Sequence, residues 1–251
     1  MARQPRQKSA SGIYHVMLKG IDGRNIFLHE GDRKKFIDQV LHAQGKDGFS
    51  LLAYCLMDNH VHLLLEENED LGTTMKRITV GYVLWHNHQY GRSGHLFQNR
   101  YLSEAVETDE YLMTAARYIH QNPVKAGLVK KAISYCWSSY QQYIDAYNRK
   151  ATHINPERIM VYFKAINDFE DFMNSQKEDK CLGYQSFGKI TDEELKAIIQ
   201  EKYQVQLGQQ LAKEKRNELI QDLYKNERTN IRQLARLLGL SKSMVERALE
   251  K

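Results

Sequence analysis

The sequence is poor in cysteine: Cys55, Cys136 and Cys181 are the only three in 251 residues. They are too few and too dispersed for a disulfide framework or a zinc ribbon, so a reducing compartment is expected and the three read as small apolar residues. Long hydrophobic runs are also missing. No stretch of about eighteen apolar residues occurs, and the start lacks the apolar core of a signal peptide, so the expectation is a cytoplasmic protein, neither inserted in a membrane nor secreted. Nor does charge of one sign dominate. Lys and Arg number 36 against 31 Asp and Glu, a net charge of +5 that gives a mild preference for anionic partners. The basic excess sits at the ends: Arg3, Arg6 and Lys8 occur without an acid in the first ten positions, and residues 211–251 carry ten basic against six acidic side chains. Both ends are candidates for contact with a phosphate backbone.

The length suits one large or two ordinary domains. Residues 1–11 read as a flexible basic arm and 12–149 as a first domain. Ile13 to Lys19 is a run of strand formers suited to the middle of a sheet. A turn over Gly20 to Gly23 follows, then Arg24, where a loop could meet a ligand. A helical stripe of Phe36, Val40 and Ala43 starts at Asp32 and stops at Gly45. Phe49 to Met57 and His60 to Leu65 read as a hairpin about Asp58-Asn59.

Leu71 to His88 is helical, with Met75, Ile78, Tyr82 and Trp85 spaced for a core face, and Tyr101 to Val106 reads as a fourth strand. Thr108 caps a helix beginning at Asp109, which Pro123 is expected to end at or just before Asn122. The order fits an α+β sandwich, a mostly antiparallel sheet with helices on one side. Trp137, Tyr140, Tyr143 and Tyr147 read as ordinary packing in preference to a base-stacking platform.

Residues 150–190 read as a connecting region with some helix, and 191–251 as a mainly helical second domain opened by a Thr191/Glu194 capping box. Within it, residues 229–249 divide at Gly239-Leu240 into two apolar faces. One comprises Ile231, Leu234, Ala235 and Leu238, the other Met244, Val245, Ala248 and Leu249. That is a helix-turn-helix pattern, with Lys242, Ser243, Glu246 and Arg247 turned outward for groove or phosphate contacts, and a purely structural helical hairpin as the alternative.

His60-Val61-His62 opens the second strand of the hairpin. Residues two apart on a strand share a face, so the two imidazoles would stand side by side as half of a metal site, or simply be hydrogen-bonded. His86 and His88 have the same spacing on a helix, where it does not align them. On the helix from Asp109, Tyr118 and Asn122 are four apart and share a face. An Asn122 carbonyl oxygen beside two imidazoles suits Mg²⁺ or Mn²⁺ better than a structural zinc. His120, two residues from Tyr118, faces elsewhere.

Gly12-Ile-Tyr-His-Val, Met57-Asp-Asn-His-Val-His-Leu, Gly94-His-Leu-Phe-Gln-Asn-Arg-Tyr and Tyr118-Ile-His-Gln-Asn-Pro-Val-Lys-Ala-Gly-Leu-Val occur in this order. Together they make residues 10–145 resemble the IS200-like transposases of the single-tyrosine, histidine-hydrophobe-histidine nucleases, and above all their REP-associated branch. The resemblance implies a ferredoxin-like or RRM-like α+β core, with His60, His62 and Asn122 as metal ligands for Mg²⁺ or Mn²⁺. It implies Tyr118 as the nucleophile that forms a 5′-phosphotyrosyl link on single-stranded DNA. The implied substrate is a hairpin-forming, REP-like palindrome with a short adjacent guide, and monomers and homodimers both occur among such proteins. Arg3, Arg6, Lys8, Arg24, Arg100 and Lys125 are candidate DNA contacts. The competing readings are a non-catalytic DNA-binding or regulatory protein that keeps the fold, and a metal-dependent hydrolase of small phosphate esters. The latter leaves the basic ends and the helix-turn-helix unexplained.

Overall fold

A computed structural model of the chain describes residues 8–46, 48–98, 100–175, 177, 179, 181–182, 192–203, 212–226, 229 and 231–249. Arg3, Arg6 and Thr191 lie outside these residues. The chain divides into two compact units, 1–184 and 185–251.

The first unit runs β1 (Ile13–Lys19), α1 (Glu30–Gln44), β2 (Phe49–Leu56), β3 (His60–Glu67), α2 (Leu71–Gln89), β4 (Leu102–Ala105) and α3 (Asp109–Lys125). The strands form one sheet in the order β2-β3-β1-β4 with every neighbouring pair antiparallel. This is the α+β arrangement of ferredoxin-like and RRM-like cores. Every residue of β1 is buried, as expected of a central strand covered on both faces.

The expected placement of helices on one side is therefore corrected. Val16, Leu18, Val61 and Leu63 are buried on one face, in the same core as Phe36 and Val40 of α1 and Met75, Ile78 and Tyr82 of α2. The alternate residues His15 and His62 are equally buried, under α3, whose Tyr118 ring lies against both. One helical layer cannot cover both parities of a strand.

The β2–β3 turn is held from several directions. Met57 N–H donates to the His60 carbonyl at 2.9 Å, the Asp58 carbonyl accepts from Ile26 and Phe27 N–H at 2.7 and 3.1 Å, and Arg33 pairs with the Asp58 carboxylate. Two helix limits differ from the periodicity. α1 begins at Glu30, because Asp32 acts as a capping acid within the first turn, accepting from Leu28 and His29 N–H. α3 passes through Pro123 to Lys125. Proline removes one N–H, but in the last turn little helix remains to be disrupted. Ala126 N–H still bonds to the Asn122 carbonyl at 2.9 Å. Thr108 caps α3 by accepting from Tyr111 N–H at 3.1 Å.

Beyond residue 125 the chain adds α4 (Tyr140–Tyr147), α5 (Glu157–Met160) and α6 (Ile166–Asn174). Tyr140 and Tyr143 are buried and pack on Phe169, so the aromatic cluster is packing. Ile154, Ile159, Phe169 and Met173 belong to the core of the first unit, which gives much of the stretch read as connecting a structural role. α3 is anchored here by Arg117, which makes a two-pronged ion pair with Asp179 at 2.9 and 2.6 Å. Arg117 also stacks 4.4 Å from the Phe172 ring centroid.

The second unit contains α7 (Asp192–Tyr203), α8 (Lys213–Asn226), α9 (Ile231–Leu238) and α10 (Lys242–Leu249) around Leu195, Ile199, Ile220, Leu234 and Val245. Gly239, at φ +65°, makes the left-handed step out of α9 that other residues resist. Ser241 Oγ then accepts from Met244 N–H at 3.3 Å to start α10. Among the described residues no helix is long and apolar enough to cross a membrane.

Both partners of the Arg117–Asp179 pair are buried. Arg117→Met is therefore expected to cost about 3–5 kcal/mol by leaving a carboxylate without its partner, and adding Asp179→Leu to recover much of that loss. Urea unfolding of the two variants checks this, and a double variant as unstable as the single one would contradict it.

Candidate active site

His60 and His62 stand on the same face of β3, with side chains 7% and 0% exposed and ring centroids 5.2 Å apart at 85°. The turn sets the first ring. Asn59 Nδ2 donates to the Gly23 carbonyl at 3.2 Å, which turns its Oδ1 toward His60 Nδ1 at 2.8 Å. An oxygen acceptor there calls for a proton on Nδ1, leaving the lone pair on Nε2. The second ring meets a residue that periodicity did not single out: His15 Nε2 lies 2.9 Å from His62 Nδ1.

α3 brings the other half. Tyr118 sits edge-on to His62 and His15, with centroids 5.7 and 5.9 Å away. One turn later the Asn122 side chain reaches both the His60 ring and the Tyr118 phenol, while its Nδ2 donates to the Tyr118 carbonyl at 2.9 Å. The four residues expected to form the site are thus gathered. Lys125 joins them, its Nζ 4.9 Å from the Tyr118 ring centroid. His120 points to the other side of the helix, bonded to Ser139 Oγ at 2.8 Å.

Burial sets the protonation states. It lowers His60 to a pKa of about 4, with Lys19 adding to the effect and the Asn122 hydrogen bond opposing it. Burial also holds His62 well below the ordinary value, helped by the neighbouring His15 and His60. His15 is lowered to about 3 by burial alone. Both candidate ligands are therefore neutral imidazoles near neutral pH, the form that binds metals. Burial raises the Tyr118 phenol, chiefly with help from Cys181 and against the Asn122 hydrogen bond.

The donor set fits a hard divalent cation. His62 Nε2 is buried with no hydrogen-bond partner, a state that a ligand would relieve. Among the described residues no three His, Cys, Asp or Glu side chains form a metal-holding group, so a third protein donor would be the Asn122 amide oxygen. Two nitrogens and one amide oxygen leave coordination positions for phosphate oxygens and water.

The remaining described candidates lie at the surface. Lys8, Arg24 and Arg100 are exposed, and Arg100 lines a cleft of about 790 Å³ with Met75, Val80, Leu84 and Phe97. Lys242, Ser243 and Arg247 are exposed on α10 of the second unit. His15 was missed because its partner lies on another strand, at an offset that only the β1–β3 register defines: Met17 opposes His62, and His15 opposes Leu64.

Comparison with known proteins converges on one group. The family model described as "Transposase IS200 like" matches residues 8–122. A Haemophilus influenzae protein described as a REP-associated tyrosine transposase is 26% identical over 114 residues, covering 39% of this chain and 62% of that protein. The chain thus spans about three fifths of the length of that curated relative. A solved structure of a REP-associated tyrosine transposase bound to a REP hairpin superposes with a TM-score of 0.50 at 18% identity. It covers 62% of this chain and 91% of the other, a likeness of fold.

The buried imidazoles have a consequence for stability. Their folded pKa values, about 4 for His60 and about 3 for His15, lie below the unfolded value near 6.5. The unfolded chain therefore binds more protons at intermediate pH. Their contribution to stability is complete above about 6.5 and is lost as pH falls toward the folded values. The urea midpoint is expected to drop between pH 6.5 and 5, before most carboxylates titrate; a flat midpoint across that window would count against neutral burial.

Proposed function

From the match of residues 8–122 to the IS200-like transposase family model, we propose that this protein cleaves and rejoins single-stranded DNA at hairpin-forming, REP-like palindromes through a phosphotyrosyl intermediate on Tyr118. The observation that carries this reading is the placement of the Tyr118 phenol beside His62, with Asn122 reaching both that phenol and His60.

Tyr118 Oη attacks the scissile phosphorus, forming the phosphotyrosyl bond on the 5′ side. The bond from phosphorus to the 3′ oxygen breaks, and that oxygen leaves as a 3′-hydroxyl. Because the buried phenol is protonated before attack, its proton must depart as the new bond forms. The Lys125 ammonium over the ring favours the negative charge that develops on it. His60, His62 and Asn122 would hold Mg²⁺ or Mn²⁺, which when bound polarises the scissile phosphate as a Lewis acid. Attack by another 3′-hydroxyl reverses the step, transferring the strand without an external energy source.

Arg24, Arg100 and Lys125, with the arm bearing Arg3, Arg6 and Lys8, are the proposed hairpin contacts. A REP hairpin is what the solved structural neighbour holds. α10 is proposed as a duplex reader through Lys242, Ser243 and Arg247. The separate core of the second unit also supports a second reading, a DNA-binding regulator without catalysis.

Incubating the chain with folded single-stranded hairpins and Mg²⁺ or Mn²⁺ is expected to yield a covalent protein–DNA product that survives denaturing separation. It should be absent with chelator and in Tyr118→Phe, and the variant should still bind the hairpin. A covalent product from Tyr118→Phe would remove Tyr118 from its role, and hairpin binding with no product under any condition would favour the regulator. For the second unit, Lys242→Ala and Arg247→Ala are each expected to reduce the salt dependence of duplex binding by about one unit of log-log slope. Unchanged slopes in both would exclude α10 from the backbone contact.

A further inference from the structure

His62 can bind a cation through Nε2 only when its own proton sits on Nδ1. That nitrogen lies 2.9 Å from His15 Nε2, with the rings tilted by 33° and their centroids 5.1 Å apart. Both side chains are fully buried, so the pair is neutral and holds two ring protons in one of two arrangements. In the first, His62 Nδ1–H donates to His15 Nε2, leaving the His62 Nε2 lone pair open and the His15 proton on Nδ1. In the second, His15 Nε2–H donates to His62 Nδ1, and the His62 proton occupies Nε2.

His15 Nδ1 and His62 Nε2 are both buried without a hydrogen-bond partner. Each arrangement therefore strands one N–H, and neither is preferred on that ground. A cation at His62 breaks the tie, because it takes the open lone pair of the first and meets an N–H in the second. For His60 the same choice is made by an oriented amide, Asn59, which can only accept there.

We propose that His15 is a positioning residue that accepts the His62 Nδ1 proton and so presents Nε2 of His62 to a divalent cation. The proposal rests on reading His60 and His62 as metal ligands. His15 is not itself a ligand: its Nε2 is turned to His62, and among the described residues no three His, Cys, Asp or Glu side chains form a metal-holding group. The edge-on Tyr118 ring against both imidazoles places this pair directly beside the proposed nucleophile.

The test is Mn²⁺ binding to the full chain, followed by the spectral signal of the free ion, for the unaltered protein, His15→Leu and His15→Gln. Leucine suits the buried position but accepts no hydrogen bond, and Mn²⁺ is expected to bind about 10- to 100-fold more weakly. Glutamine restores an acceptor and should recover most of the affinity. Nitrogen-15 spectra of the imidazoles in Mg²⁺ should show His62 protonated on Nδ1 in the unaltered and glutamine proteins, a readout independent of activity that a merely space-filling role would not set. Unchanged affinity in a folded His15→Leu protein would overturn the role of His15 alone. So would a proton on His62 Nε2 in the Mg²⁺-loaded unaltered protein, which decides the matter even if the leucine variant fails to fold. Absence of Mn²⁺ binding by the unaltered protein would instead overturn the metal-site reading, and this role with it.

Discussion

A sheet covered on both faces has no wet side on which to leave a polar group, and this constraint shapes the first unit. β1 and the first six residues of β3 are buried on both parities, so the imidazoles of His15, His60 and His62 must be neutral and must bond to what the fold places nearby. An unpaired buried polar atom is costly. The partners they find, Asn59 in the turn, His15 on the neighbouring strand and Asn122 on α3, are therefore what define the site. The burial that makes the rings ready for a cation also keeps the Tyr118 phenol protonated.

α3 works as a three-sided element. Tyr118 and Asn122 face the histidines, Gln121 faces α6, Arg117 faces α6 and the segment that follows it, and His120 faces α4. Gln121 Nε2 donates to the Met173 carbonyl, and Arg117 is locked to Asp179. These bonds fix the rotation of the helix about its axis, and with it the direction of the phenol. A site built this way depends on residues well outside the family-like segment, which is the physical reason that α4 to α6 share its core.

The second unit follows a different logic. Its helices are short and cover one shared apolar centre, with Gly239 making the sharp step between α9 and α10 and Asp192 tying α7 to α9 through Gln233 and Arg236. The outer side of α10 is polar, with Lys242 and Arg247 exposed and Glu246 pairing with Lys242 at 3.5 Å.

Much of this was legible in the order of residues alone. The strand runs, the stripe on α2, the shared side of His60 and His62 and the one-turn spacing of Tyr118 and Asn122 all follow from backbone periods of 2 and 3.6, which are local. The passage of α3 through Pro123 was not legible, because a local breaker can be overridden where the following turn is held by other contacts. The second helical layer was hidden for a related reason: an unbroken apolar strand says that both faces are covered, but not by which helices. The partnership of His15 with His62, the seat of Lys125 over Tyr118 and the anchoring of Arg117 by Asp179 required the fold itself. The sequence by itself determined the elements and which residues share a side; tertiary structure alone decided which sides meet, because strand register and the docking of a helix on a sheet are set by contacts between residues far apart in the chain.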